Sequence, residues 1–232
     1  MPTPGLLYVG SAIKDPVLTE DVFIKWYDEV HIPEVLATGF SAAFRYKNTN
    51  ASADFPNLVL YTMPDLDLFN PDMKNAKMSH DTLPGGRSHF ELCNFDTRVY
   101  EKIQTFEGQT PKEGRAAKCI IAVAMEPAEG EEADKDFDSW YRLQHLDMLS
   151  TVSGYRRSTR YKLKLSPTAE ATGKDLPRYL ALHEYDRTDI PQDQIKLAVG
   201  TEWSKKVIAG AKAFVRDVYV LQHEAGDAAV KL

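Results

Sequence analysis

Apolar positions along this chain come in short runs separated by polar stretches rich in Pro and Gly, and the period of the runs changes from one to the next. Leu6 to Ile13 is a run of strand length, closed by Lys14-Asp15-Pro16. Thr19 stands where a helix cap is needed, and Glu20 and Asp21 fall in the first turn, where the helix dipole favours acids. Phe23, Trp26, Tyr27 and Val30 then lie on one helical face. Pro33 interrupts this helix and Gly39 ends it. Phe40 to Lys47 predicts a second strand, Asn48 to Asn57 a turn-rich connection, and Leu58 to Met63 a third strand. The polar stretch Asp72 to Ser79 predicts a second helix, Pro84-Gly85-Gly86 a break, and Phe90 to Tyr100 a fourth strand.

The pattern then starts again. Cys119 to Met125 is strand-like; Phe137, Trp140, Tyr141 and Gln144 mark a helix face; Tyr155 to Leu163 and Tyr179 to Tyr185 are strands. Asp193 to Ala211, carrying Ile195, Val199, Trp203 and Val207, predicts one long helix, and Ala213 to Leu221 a last strand. Residues recur as well as periods. Trp26-Tyr27 and His31 return as Trp140-Tyr141 and His145, with Trp and His both displaced by 114 positions. Arg45-Tyr46 returns as Arg160-Tyr161. The chain is therefore read as two copies of one unit, 1–110 and 111–232, joined near the polar stretch Phe106 to Ala117.

Each copy has the order β-α-β-β-α-β, a split βαβ or ferredoxin-like motif whose antiparallel sheet carries helices on one face only. The expected fold is α+β: two tandem ferredoxin-like repeats whose sheets cover each other's bare faces in a barrel. The inserts Glu126 to Asp136 and Ser166 to Leu176 are expected to be surface loops, and Ala225 to Leu232 a loose tail.

Composition narrows the partners. A net charge of −6 argues against a nucleic-acid grip, so the basic pairs Arg156-Arg157 and Lys162-Lys164 are read as solvated surface. No apolar run approaches the length that spans a bilayer, and no secretory leader is expected. Cys93 and Cys119 sit in strand-like runs and are expected as reduced, buried thiols in a cytoplasmic protein.

The candidate chemistry follows the helix stripe. His31 is four residues beyond Tyr27 and shares its face, and His145 stands in the same relation to Tyr141. An imidazole among aromatic rings is a candidate general acid/base, or a satisfied core histidine. Trp26, Tyr27, Tyr61, Trp140, Tyr141 and Trp203 are read as core that doubles as cleft wall. Tyr46 and Tyr161 on strand two, and His183 on strand three, are further candidates to face the ligand. His80 and His89 are read as loop residues, and Arg45 as solvated. Asp28, His31 and Glu34 have a spacing that could ligate a metal, but Pro33 interrupts the turn and the second copy lacks both acids. No dinucleotide fingerprint, phosphate loop or nucleophile elbow is present.

The run Phe23-x-x-Trp26-Tyr27-x-x-x-His31-x-Pro33, followed by Gly39 and Arg45-Tyr46, resembles the EthD-like branch of the dimeric α/β-barrel superfamily. Trp203-Ser204 through Phe214 and Tyr219 resembles its closing helix and last strand. The resemblance implies a ligand cleft between sheet and helices, lined by His31, and relatives in secondary metabolism that work on polyketides without organic cofactors. Other relatives bind haem through a histidine. Asp147 stands where the second copy would have the proline, which implies one working cleft and one mainly structural. The leading expectation is a cofactor-independent decarboxylase, cyclase or dehydratase acting on a small hydrophobic metabolite. Beside it stand a non-catalytic binding or stress-response protein and an oxygenase, with or without haem. A homodimer of barrels is compatible with all three.

Overall fold

A computed structural model describes residues 1–70, 78–108 and 117–232. Eight strands form one closed antiparallel barrel: β1 (Gly5–Ile13), β2 (Ala42–Asn48), β3 (Asn57–Met63), β4 (Cys93–Phe106), β5 (Cys119–Glu126), β6 (Tyr155–Leu165), β7 (Tyr179–Tyr185) and β8 (Ala213–Gly226). Around the barrel they run β1-β3-β2-β8-β5-β7-β6-β4. The first-half strands therefore order as β4-β1-β3-β2 and the second-half strands as β8-β5-β7-β6. The two sets are hydrogen-bonded along β2–β8 and β4–β6, so neither keeps a free edge.

Side-chain alternation divides each strand between two cores. Leu6, Tyr8, Phe44, Tyr46, Leu60, Tyr100, Tyr161 and Leu182 fill the barrel. Their neighbours Leu7, Ala43, Val59, Tyr61 and Val99 point outward under the first-half helices, and Ile121, Val123, Ala181 and Tyr185 under the second-half helices.

On the outer face, α1 (Glu20–Trp26) is capped by Thr19, whose side chain accepts from Val22 N. It continues through a π turn over Tyr27–His31 into α2 (Ile32–Ala37). The short α3 (His89–Leu92) precedes β4. In the second half, α4 (Glu131–Trp140) passes through the same π turn, Tyr141–His145, into α5 (Leu146–Ser150). Asp147 replaces the proline there, so the π turn does not depend on Pro33.

Several expectations are corrected. The acidic insert is half helix: α4 starts at Glu131, and Glu131, Glu132 and Asp134 occupy its first turn, where the dipole favours them. The second insert carries α6 (Pro167–Thr172), and Ser166 Oγ ties it to β4 by donating to the Thr97 carbonyl at 2.8 Å. The predicted long helix Asp193 to Ala211 is two helices, α7 (Gln192–Val199) and α8 (Glu202–Gly210). Gly200 and the Thr201 cap, which accepts from Ser204 N at 3.1 Å, separate them. The tail is not loose at its end, because Leu232 packs in the barrel and its carbonyl accepts from Thr159 Oγ1 at 3.0 Å. The predicted helix Asp72 to Ser79 falls largely outside the described residues, as does most of the joining stretch after Phe106.

The arginines expected in solvent are buried. Arg45 is 4% exposed and makes two 2.6 Å bonds to the Asp28 carboxylate, which pins the π turn to β2. Arg156 and Arg157 are buried beside β7, and Arg157 is paired with Glu184. Cys93 and Cys119 are both free and buried, and burial pushes each thiol up to about 11. Neither should label with a thiol reagent at neutral pH until the protein unfolds. Rapid labelling of the native protein would contradict this burial.

Candidate active site

The two π turns build the two imidazole clusters. In an α-helix, residues five apart point about 140° away from each other. The extra residue of a π turn brings the fifth back over the first. His31 accordingly stacks on Trp26, with ring centres 4.6 Å apart and planes at 21°. His145 stacks on Trp140 at 4.1 Å and 19°. Tyr27 and Tyr141 meet these imidazoles edge-on at 5.0 and 5.3 Å. The sequence pattern put His31 on the Tyr27 face but carried no sign of the stack, because it assumed α-helical spacing.

The indoles are themselves held. Trp26 Nε1 donates to the Ser79 carbonyl at 2.8 Å, and the Glu34 carboxylate accepts from Ser79 N at 3.0 Å. Trp140 Nε1 donates to Ser204 Oγ at 3.0 Å. Glu34 and Asp28 are thus engaged elsewhere. Among the described residues no group of three His, Cys, Asp or Glu side chains is arranged to hold a metal ion.

The first cluster extends to two histidines that had been read as loop residues. His80 Nε2 and His89 Nδ1 lie 2.7 Å apart, and the His89 ring stacks on Trp26 at 5.3 Å and stands 5.5 Å from His31. The signal in the sequence was the Pro84-Gly85-Gly86 break, which folds the two flanking histidines back together. His89 is buried and His31 half-buried. Burial first, and the neighbouring imidazoles second, hold His31 down to about 3 and His89 to about 4. Both are neutral at physiological pH. His31 Nδ1 is buried with no hydrogen-bond partner.

The second cluster is deeper. His145 is 5% exposed and His183 3%, with ring centres 6.2 Å apart. Burial lowers both, His183 to about 3. Both rings line a partly open cavity of about 50 Å³ under α4, α7 and α8. Behind His183, Ser158 Oγ lies 2.7 Å from its Nδ1 and 2.9 Å from Tyr155 Oη. Tyr155 and Ser158 were not singled out from the sequence, since nothing local marks them.

The remaining candidates are distributed as follows. Tyr61 lies under Tyr27 and Phe40 on the helix side. Trp203 is on α8 and donates from Nε1 to Asp136 at 3.1 Å. Tyr46 and Tyr161 are inside the barrel, so the sheet separates them from both imidazole clusters.

No protein-family model matches the chain. It is 28% identical over 196 residues, 79% of this chain and 82% of the relative, to core atranone cluster protein 1 of Stachybotrys chlorohalonatus. In structure it is similar to an anthrone oxidase-like protein, with a TM-score of 0.59, 16% identity, and coverage of 97% of this chain and 93% of that one. A variant chlorite dismutase from Candidatus Nitrospira defluvii aligns with a TM-score of 0.58 at 10% identity, over 96% of this chain and 93% of that one. The chain has the dimeric α/β-barrel fold of these proteins.

Proposed function

We propose that this protein is a secondary-metabolism enzyme acting on a hydrophobic aromatic or polyketide-like intermediate, and that His31 moves a proton on it. The observation carrying this reading is a reachable, neutral imidazole stacked on Trp26, with His89 and His80 behind it. A neutral ring accepts a proton before it gives one. A substrate hydrogen made acidic by a neighbouring carbonyl and aromatic ring is the fitting partner in cyclisation and dehydration, whereas in a decarboxylation the carbanion forms as carbon dioxide leaves and must then be given a proton. Trp26 and Tyr27 would form the apolar wall. The likeness to an atranone cluster protein supports secondary metabolism.

The reading extends to the architecture. The equal strand orders and the paired π turns support two ferredoxin-like repeats, 1–110 and 111–232, of the EthD-like kind, with His31 in the working copy. A second reading is favoured by the likeness to an anthrone oxidase-like protein. There the same proton removal would leave a carbanion that dioxygen oxidises.

The test is turnover of candidate aromatic ketones and polyketides by wild type and His31→Gln. The variant is expected to lose about 100-fold or more. Near-normal turnover would remove His31 from the chemistry. Oxygen uptake that matches product formation would select the oxidase over the lyase or cyclase. A ligand bound and released unchanged would mean a binding protein.

A further inference from the structure

The second-half cavity has a wall that is mostly aliphatic, from residues such as Ile121, Val123, Ile195 and Val199, and no carboxylate or lysine lines it. His145 and His183 also face it, and burial keeps both neutral at physiological pH. The charge in its lining is that of Arg216, an exposed residue on the open side.

Arg216 stands on β8 opposite Val123 of β5, and Phe214 stands opposite Met125. Alternation along β8 turns Phe214, Arg216 and Val218 toward the helix side, where Val218 packs against the second-half core. The arginine therefore interrupts an apolar face. It also differs from the rest of its kind. Every other arginine among the described residues pairs with an Asp or Glu. The Arg216 guanidinium has neither an ion pair nor a hydrogen bond among the described residues, in a chain with 34 acids. A guanidinium presents a planar fork of donors that matches the two oxygens of a carboxylate. None of the protein's own described carboxylates takes this one.

We infer that this cavity binds a short aliphatic carboxylate, with the hydrocarbon tail inside the void and the two oxygens on the Arg216 guanidinium at its mouth. At about 50 Å³ the void is smaller than the roughly 150 Å³ that encloses a benzene ring, so a ring does not fit inside. A water-sized group takes roughly 10–15 Å³ of such space, which matches the void to a tail of about three carbons. The aliphatic wall favours that tail, because each methylene taken out of water is stabilising. With no acid in the lining, no charge repels the anion at the mouth. This site is separate from His31 and does not rest on the reading given for it.

The test titrates the protein at neutral pH with butanoate, with butanamide, which has the same shape but no charge, and with acetate, which lacks most of the tail. Wild type should bind butanoate about 10-fold more tightly than butanamide, the value of a charge-assisted hydrogen bond at an exposed arginine. It should bind acetate about 10-fold more weakly than butanoate, because methylenes are no longer buried. In nitrogen–proton NMR the titration should move the indole signal of Trp140, which lines the cavity, and leave that of Trp26 in place. Arg216→Gln changes an exposed side chain and should erase the preference for butanoate over butanamide. Equal affinities for those two in wild type, a preference kept in Arg216→Gln, acetate bound as tightly as butanoate, or movement of the Trp26 signal in place of Trp140 would each overturn the assignment. So would a titration in which butanoate moves neither signal.

Discussion

Arg157→Met is expected to destabilise the protein by about 3–5 kcal/mol, the usual consequence of removing one member of a buried ion pair. Arg157 is 1% exposed and Glu184 0%, and they face each other across β6 and β7 at the end of the barrel interior. The guanidinium holds both carboxylate oxygens, with Nη2 2.9 Å from Oε2. Burial pushes the Glu184 carboxyl above its ordinary range, and Arg157 is the main influence pulling it back. Without the guanidinium, Glu184 must either stay charged in an apolar interior or take up a proton. The double variant Arg157→Met/Glu184→Leu should recover most of the loss, because it leaves no bare charge. Urea unfolding of the two variants checks both statements. A single variant within about 1 kcal/mol of wild type would mean that the pair is not sealed.

Stability is expected to fall steeply as pH drops below the unfolded histidine value of about 6.5. His31, His89 and His183 are held at about 3, 4 and 3, and His145 is also lowered, in each case mainly by burial. A depressed value means that the unfolded chain binds protons the folded one refuses. The stabilising contribution is complete above pH 6.5 and is lost as pH falls toward the folded values. His183 alone contributes a slope of about 1.4 kcal/mol per pH unit through that window. Between pH 6.5 and 5 most carboxylates are still ionised in both states, so the histidines dominate there. Unfolding free energy measured against pH should rise through that interval, and His183→Asn should reduce the slope by about one proton. A flat profile from pH 7 to 5 would show that these rings are protonated in the folded protein.

The strands were legible because each is a local run of apolar residues bounded by Pro, Gly or polar turns. Tyr179 to Tyr185 was read with its final limits, and Leu58 to Met63 and Cys119 to Met125 fall one residue short of theirs. The helix stripe Phe23, Trp26, Tyr27 was legible for the same reason, since three of its members lie within one helical turn. The split at Gly200 was not, because the apolar spacing of Ile195, Val199 and Trp203 continues across it.

The chain by itself determined the α+β class, the antiparallel strands and the aromatic imidazole-bearing helices, all of which follow from neighbours a few residues apart. Tertiary structure decided the rest. It joined the two sheets edge to edge along β2–β8 and β4–β6, stacked His31 and His145 on their tryptophans, paired His80 with His89, and buried Arg45 and Arg157 against acids on other elements. It also set the Phe106–Tyr155–Ser158–His183 chain of hydrogen bonds, whose members come from three strands. Burial and proton placement depend on atoms brought together from distant positions, and a local pattern of apolar and polar residues carries no record of those partners.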